Sequence, residues 1–101
     1  MSVVVLTERG AALGQQITQA LPDAQMYART GRVTHADAFF DDTAACLREM
    51  YLAGRSIVGV CASGILIRAL TPVIENKTVE PAVIAVSEDG VAAYLVTAHI
   101  R

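Results

Sequence analysis

The sequence predicts an α/β domain: a three-layer open sheet, mostly parallel, with an antiparallel C-terminal hairpin and helices on both faces. Three observations carry this reading. Short β-branched runs alternate with helix-length amphipathic segments, the pattern of parallel strands joined by helical crossovers. Val3 to Leu6 and Ile57 to Val60 are continuously apolar or nearly so, as strands buried on both faces must be. The last two apolar runs are separated by Ser87-Glu88-Asp89-Gly90, a turn short enough to force a hairpin.

Val3 to Leu6 is the first strand. Thr7 then offers an N-cap, and Leu13, Ile17, Ala20 and Leu21 follow at helical spacing with Gln15, Gln16 and Gln19 opposite. Gly10 and Gly14 are costly in a helix and mark close packing against the sheet. Leu21-Pro22-Asp23 ends the helix, and Ala24 to Tyr27 is a second strand. Ala28 to Phe39 is the least regular stretch. Asp41 is the expected N-cap of a second helix, whose buried stripe is Leu47, Met50 and Tyr51 and whose stop is Gly54.

Ile57 to Val60 is the next strand. Ser63-Gly64 turns the chain into a third helix, Ile65 to about Asn76, with Leu66, Leu70, Val73 and Ile74 inward and Arg68, Thr71 and Glu75 outward. Pro72 kinks or tightens it. Ala82 to Val86 and Val91 to Val96 close the order β-α-β-α-β-α-β-β. The 101 residues allow one domain, 1–101. The chain stops soon after a strand, where such a fold places another turn and helix, so a domain excised from a longer protein is expected.

Composition narrows the function classes. A net charge of −2 and a pI near 5.5 lack the clustered cationic excess of a nucleic-acid footprint, so no nucleic-acid partner is expected. The start has no basic region before its apolar run, and no run approaches the ~20 residues of a membrane span, so the cytoplasm is the expected location. Hydrophobic residues reach 53%, which fits a sheet covered on both faces or a surface awaiting a partner, and leaves a homodimer open. Basic residues are almost all Arg, which suits carboxylate or phosphate pairing, although genome base composition explains the same bias.

Ligands of open α/β sheets bind outside the carboxyl ends of the strands. Four segments are expected there: Thr7 to Gly10, Ala28 to Arg32, Cys61 to Gly64, and Thr97 to His99. The Cys61-Ala62-Ser63-Gly64 turn is the best candidate, because it offers free backbone N–H groups at a helix N-terminus beside small side chains. The Ser63 hydroxyl either caps the helix or donates to a ligand oxygen. No G-x-S-x-G surrounds Ser63, so it is not read as a nucleophile, and Cys61 is read as a buried thiol. Arg68 forms either a surface ion pair with Glu75 or Asp89, or a carboxylate contact near the turn. Lys77 complements the dipole at the helix end. His35 and His99 have no metal spacing, and no G-x-G-x-x-G occurs, so neither a metal nor a cofactor is expected.

The segment Gly59-Val60-Cys61-Ala62-Ser63-Gly64-Ile65-Leu66-Ile67-Arg68-Ala69-Leu70-Thr71-Pro72, continuing through Lys77 to Pro81-Ala82-Val83, resembles a known family. It is similar to the N-terminal domain of CbiG, the cobalt-precorrin 5A hydrolase of cobalamin biosynthesis. Asp89-Gly90, Thr7, Glu8, Gly10 and the Phe40-Asp41 helix start also agree. His99 matches the histidine of a Gly-His-x-Gly-Gly-like loop, but Ala98 replaces its first glycine.

The resemblance implies a domain of corrin-ring synthesis. The family's enzyme opens a δ-lactone on the macrocycle and releases acetaldehyde, and some relatives fuse this region to precorrin-3B methyltransferase. It implies a corrinoid or other tetrapyrrole intermediate and further cobalamin-pathway domains as partners. It carries Gly64, Arg68, Lys77 and His99 over as motif positions, with Ser63 beside them as a candidate ligand contact, and assigns no catalytic residue. A corrinoid presents many acetate and propionate arms, which a backbone N–H turn with Arg68 nearby suits. The alternative is a non-catalytic α/β module that binds a tetrapyrrole or docks a partner domain.

Overall fold

A computed structural model describes residues 1–74 and 81–97. Six strands and three helices follow one another as β1 (Ser2–Val5), α1 (Glu8–Ala20), β2 (Gln25–Arg29), β3 (Ala38–Phe40), α2 (Thr43–Leu52), β4 (Ile57–Val60), α3 (Ser63–Leu70), β5 (Val83–Val86) and β6 (Ala93–Thr97). They form one sheet in the order β3-β2-β1-β4-β5-β6. All neighbours are parallel except β5 and β6. The order reverses between β1 and β4, and that reversal positions the site.

Alternation along each strand builds two cores. Val3 and Val5 of β1 meet Val58 and Val60 of β4, Met26 and Ala28 of β2, and Ala11 of α1. Val4, Ile57, Val83 and Ala85 point the other way, onto Leu47, Met50 and Tyr51 of α2 and Leu66, Ala69 and Leu70 of α3. The sheet is therefore sandwiched, with α1 on one face and α2 and α3 on the other, as the period-2 pattern requires.

Two glycines let the layers close. A Cβ on Gly14 of α1 would stand 2.6 Å from Val5 Cγ1 and 3.0 Å from Met26 Sδ. A Cβ on Gly59 of β4 would stand 2.9 Å from the methyl groups of Leu66. Both layers would have to move apart to admit a side chain.

Four expectations are corrected. The irregular stretch before α2 contains β3, three residues too short to show a period. It is fixed on β2 by Asp37, whose carboxylate accepts from Met26 N–H at 2.8 Å while its own N–H donates to Met26 O at 3.0 Å. The N-cap of α2 is Asp42 rather than Asp41. Asp42 has the extended backbone a cap needs, and its Oδ1 accepts from Ala45 N–H at 3.0 Å. The third helix stops at Leu70 and tightens into a 3₁₀ turn, Thr71–Val73, because Pro72 has no N–H to continue the ladder. Ile74 is already extended.

The fourth correction concerns the chain end. An antiparallel strand runs back, and β6 ends with Thr97 paired to Val83, the first residue of β5. Thr97 thus lies on the edge opposite the carboxyl ends of the parallel strands. His99, together with Lys77, falls outside the described residues.

Candidate functional site at the strand-order reversal

A cleft of about 480 Å³ opens where β1 and β4 part company. Leu6, Thr7 and Arg9 after β1 form one wall. Cys61, Ala62, Ser63 and Ile65 after β4 form the second. Ser87, Glu88 and Asp89 of the hairpin turn, with Tyr94 of β6, form the third. Adjacent parallel strands whose chains leave in opposite directions cannot fill the gap between them, and this is the place such sheets bind ligands.

Two helix N-termini face this region, and they differ. That of α1 is occupied from within. Thr7 accepts from Gly10 N–H at 3.0 Å through Oγ1, and the same hydroxyl donates to Glu88 Oε2 in a short hydrogen bond. Glu8 lies in the first turn, where a carboxylate complements the dipole. A Cβ on Gly10 would stand 3.3 Å from Val60 O and 3.4 Å from Glu88 Oε2, so the glycine makes room for that carboxylate.

Among the described residues, the N-terminus of α3 has no such partner. Its N-cap is Ala62, and it has no side-chain cap hydrogen bond. This corrects one of the two readings of Ser63. It is the first residue of the helix, its hydroxyl does not cap, and it lines the cleft instead. Ser63 and Gly64 occupy the first two helical positions, whose N–H groups have no intrahelical acceptor.

The hairpin wall is held rigidly. Gly90 N–H donates to Ser87 O at 2.9 Å, and Gly90 takes φ +76°. Asp89 Oδ1 accepts from Ser87 Oγ at 2.7 Å and from Val91 N–H at 3.0 Å. These two bonds, with Arg9 nearby, hold the Asp89 carboxyl below its ordinary range. Asp89 is thus bonded within its own turn and lines a different cleft from Arg68, while Glu75, the other ion-pair partner read from the sequence, falls outside the described residues.

Cys61 is 8% exposed at the bottom of the cleft. Burial, with Glu88 adding to it, pushes its thiol up to about 11. A thiol so placed is protonated at neutral pH and a poor nucleophile.

The three candidate residues that are described do not converge. Ser63 lines this cleft. Gly64 lies under Arg68, whose Nη1 is 3.3 Å from where a Gly64 Cβ would stand. Arg68 lines a separate cleft between α2 and α3 with Thr43, Ala44, Arg48, Ile65 and Ala69. Lys77 and His99 are outside the described residues. Sequence reasoning placed Arg9 at this edge within Thr7 to Gly10 but missed Glu88 and Tyr94. Glu88 read only as a turn residue, and nothing local says that the turn returns over Thr7. Tyr94 is the one detectable signal, an aromatic in a short terminal strand, and it is 61% exposed.

A family model described as cobalamin synthesis G N-terminal matches residues 45–100. The chain belongs to this family. The match contains most of α2 and all of β4, α3, β5 and β6, so the CbiG N-terminal motif supplies two of the three walls of the cleft. Membership links the chain to cobalamin biosynthesis. No curated protein and no solved structure gives a significant match. Among the described residues, no helix of this CbiG N-terminal domain is long and apolar enough to cross a membrane.

Proposed function

We propose that this domain holds a corrinoid intermediate of cobalamin biosynthesis at the strand-order reversal, as the N-terminal domain of a cobalt-precorrin 5A hydrolase. The observation that carries the reading is that the uncapped start of α3, within the family-matched segment, faces a cleft at the carboxyl ends of the strands. A corrinoid is far larger than 480 Å³, so the cleft takes one edge of the macrocycle. The Ser63 hydroxyl and the N–H groups of Ser63 and Gly64 receive an acetate or propionate arm. Tyr94 offers a flat apolar face to the ring beside them.

A second reading, a binding module without hydrolytic activity of its own, is favoured by the lining. Cys61 is held protonated, and among the described residues the lining contains no histidine to activate Ser63 or a water. Lactone opening by this domain alone would leave the role of general base to Glu88, which already accepts the Thr7 hydroxyl.

Incubation of the chain with cobalt-precorrin 5A, with acetaldehyde as the readout, separates the two. Release that falls at least tenfold in Glu88→Gln supports the hydrolase. Tight corrinoid binding with no acetaldehyde supports the module, with catalysis placed on another domain. Absence of binding by any corrinoid removes both.

A further inference from the structure

We propose that the cleft between α2 and α3 is a second, carboxylate-selective subsite formed by Arg48 and Arg68, and that it takes another acidic arm of the same ligand. The inference rests on the corrinoid reading above. The cleft measures about 320 Å³, and among the described residues its lining holds two arginines and no carboxylate. Two like charges facing one small space repel unless an anion comes between them.

Arg48 is anchored, and Arg68 is an exposed side chain laid along its own helix. Arg48 Nε donates to Ala69 O at 2.7 Å, which anchors the side chain across the helix pair. Its Nη1 and Nη2 carry further donors for an acceptor in the cleft. Arg68 folds back along the first turn of its own helix, over Gly64, where a larger residue would crowd Nη1. Thr43 on the rim is itself held by Arg29, whose Nη1 donates to Thr43 Oγ1 at 3.2 Å. Ala44, Ile65 and Ala69 complete an apolar floor, so the site combines a forked cationic rim with a surface for methylenes. That is the chemistry of a short alkyl carboxylate, an acetate or propionate arm.

Ile65 joins the subsite to the first cleft, because it lines both. Ser63, at the start of α3, lines the first cleft, and Arg68, in the last turn of the same helix, lines the second. A ligand with one charge could use either cleft. A macrocycle with acidic arms around its rim can use both across the single ridge of Ile65.

The test compares two corrinoids by absorbance titration of the whole chain. Cobyrinic acid carries free carboxylate arms, and in cobinamide those arms are amides. Wild-type protein is expected to prefer cobyrinic acid by about tenfold or more, the weight of a charge-assisted pair. Arg68→Ala and Arg48→Gln should each reduce that preference several-fold without changing the affinity for cobinamide, and Arg68→Lys should restore part of it. Arg68→Ala removes an exposed side chain, so it keeps the test valid if loss of the Arg48 anchor disturbs the fold. If both variants keep the wild-type preference, the subsite is wrong and the corrinoid reading stands. If wild-type protein binds neither compound, the corrinoid reading falls and takes this inference with it.

Discussion

At the scale of single residues, environment overrides what residue type suggests. Cys61 sits beside a helix N-terminus, a position that lowers thiol pKa values elsewhere. Here burial wins, reinforced by Glu88, and the thiol rises to about 11. Alkylation with iodoacetamide should therefore be slow at pH 8 and accelerate only as pH approaches 11. Glu88→Gln should move that profile to lower pH, because it removes the repulsive charge. A midpoint near the ordinary thiol value, unmoved by Glu88→Gln, would contradict this placement. Burial of this thiol follows from its position after a strand, but the influence of Glu88 is invisible in the sequence. Glu88 is 27 positions away and arrives by way of the fold.

Ser63 and Arg68 show the converse. Five residues apart on a helix of 3.6 residues per turn, they point about 140° from one another, and they line different clefts. What packs on either side of α3 decides which cleft each one meets.

At the scale of elements, packing decides where propensity misleads. Glycine costs about 1 kcal/mol against alanine inside a helix, so propensity alone favours Gly14→Ala. The new Cβ would meet Val5 Cγ1 at 2.6 Å, on a β-branched side chain with 0% exposure in a central strand. Overpacking of this kind costs about 1–3 kcal/mol. The variant should therefore be less stable than wild type by roughly 1 kcal/mol in urea unfolding, against the helix scale. A variant of equal or greater stability would mean that α1 packs less closely on the sheet than described.

The elements themselves were largely legible. β1, α1, β4 and the hairpin announce themselves through continuous apolar runs, the Thr7 cap and the Asp89-Gly90 turn. β3 was not legible, because Ala38–Phe40 shows no period and is fixed by its pairing with β2 and by Asp37, just before it, bonding to Met26 of β2. The Asp41-Asp42 pair offered two caps of equal chemistry, and only backbone geometry distinguishes them. The end of α3 was placed too late because Leu70, Val73 and Ile74 keep helical spacing through a 3₁₀ turn, which also brings every third residue to one side. The placement of Thr97 was open to correction by logic alone, since a hairpin must return the chain to the starting edge.

At the scale of the whole molecule, the cleft follows from strand order. The order β3-β2-β1-β4-β5-β6 leaves its gap between β1 and β4, and the hairpin brings Glu88 and Tyr94 to the same place. Alternation of strands and helices predicted a sheet of this class. It could not say which neighbours β1 would take. The family match covers residues 45–100, and the cleft also draws a wall from Leu6, Thr7 and Arg9, outside that match. The site is therefore a property of the assembled sheet.

Amide chemical-shift mapping tests this most directly. Dicyanocobyrinic acid, which is diamagnetic, would be titrated into the isotopically labelled chain. The account predicts shifts concentrated in Leu6 to Gly10, Ala62 to Arg68 and Ser87 to Tyr94, weakened at least tenfold in Ser63→Phe, which fills the cleft. Shifts confined to other surfaces, or an affinity unchanged by Ser63→Phe, would contradict it.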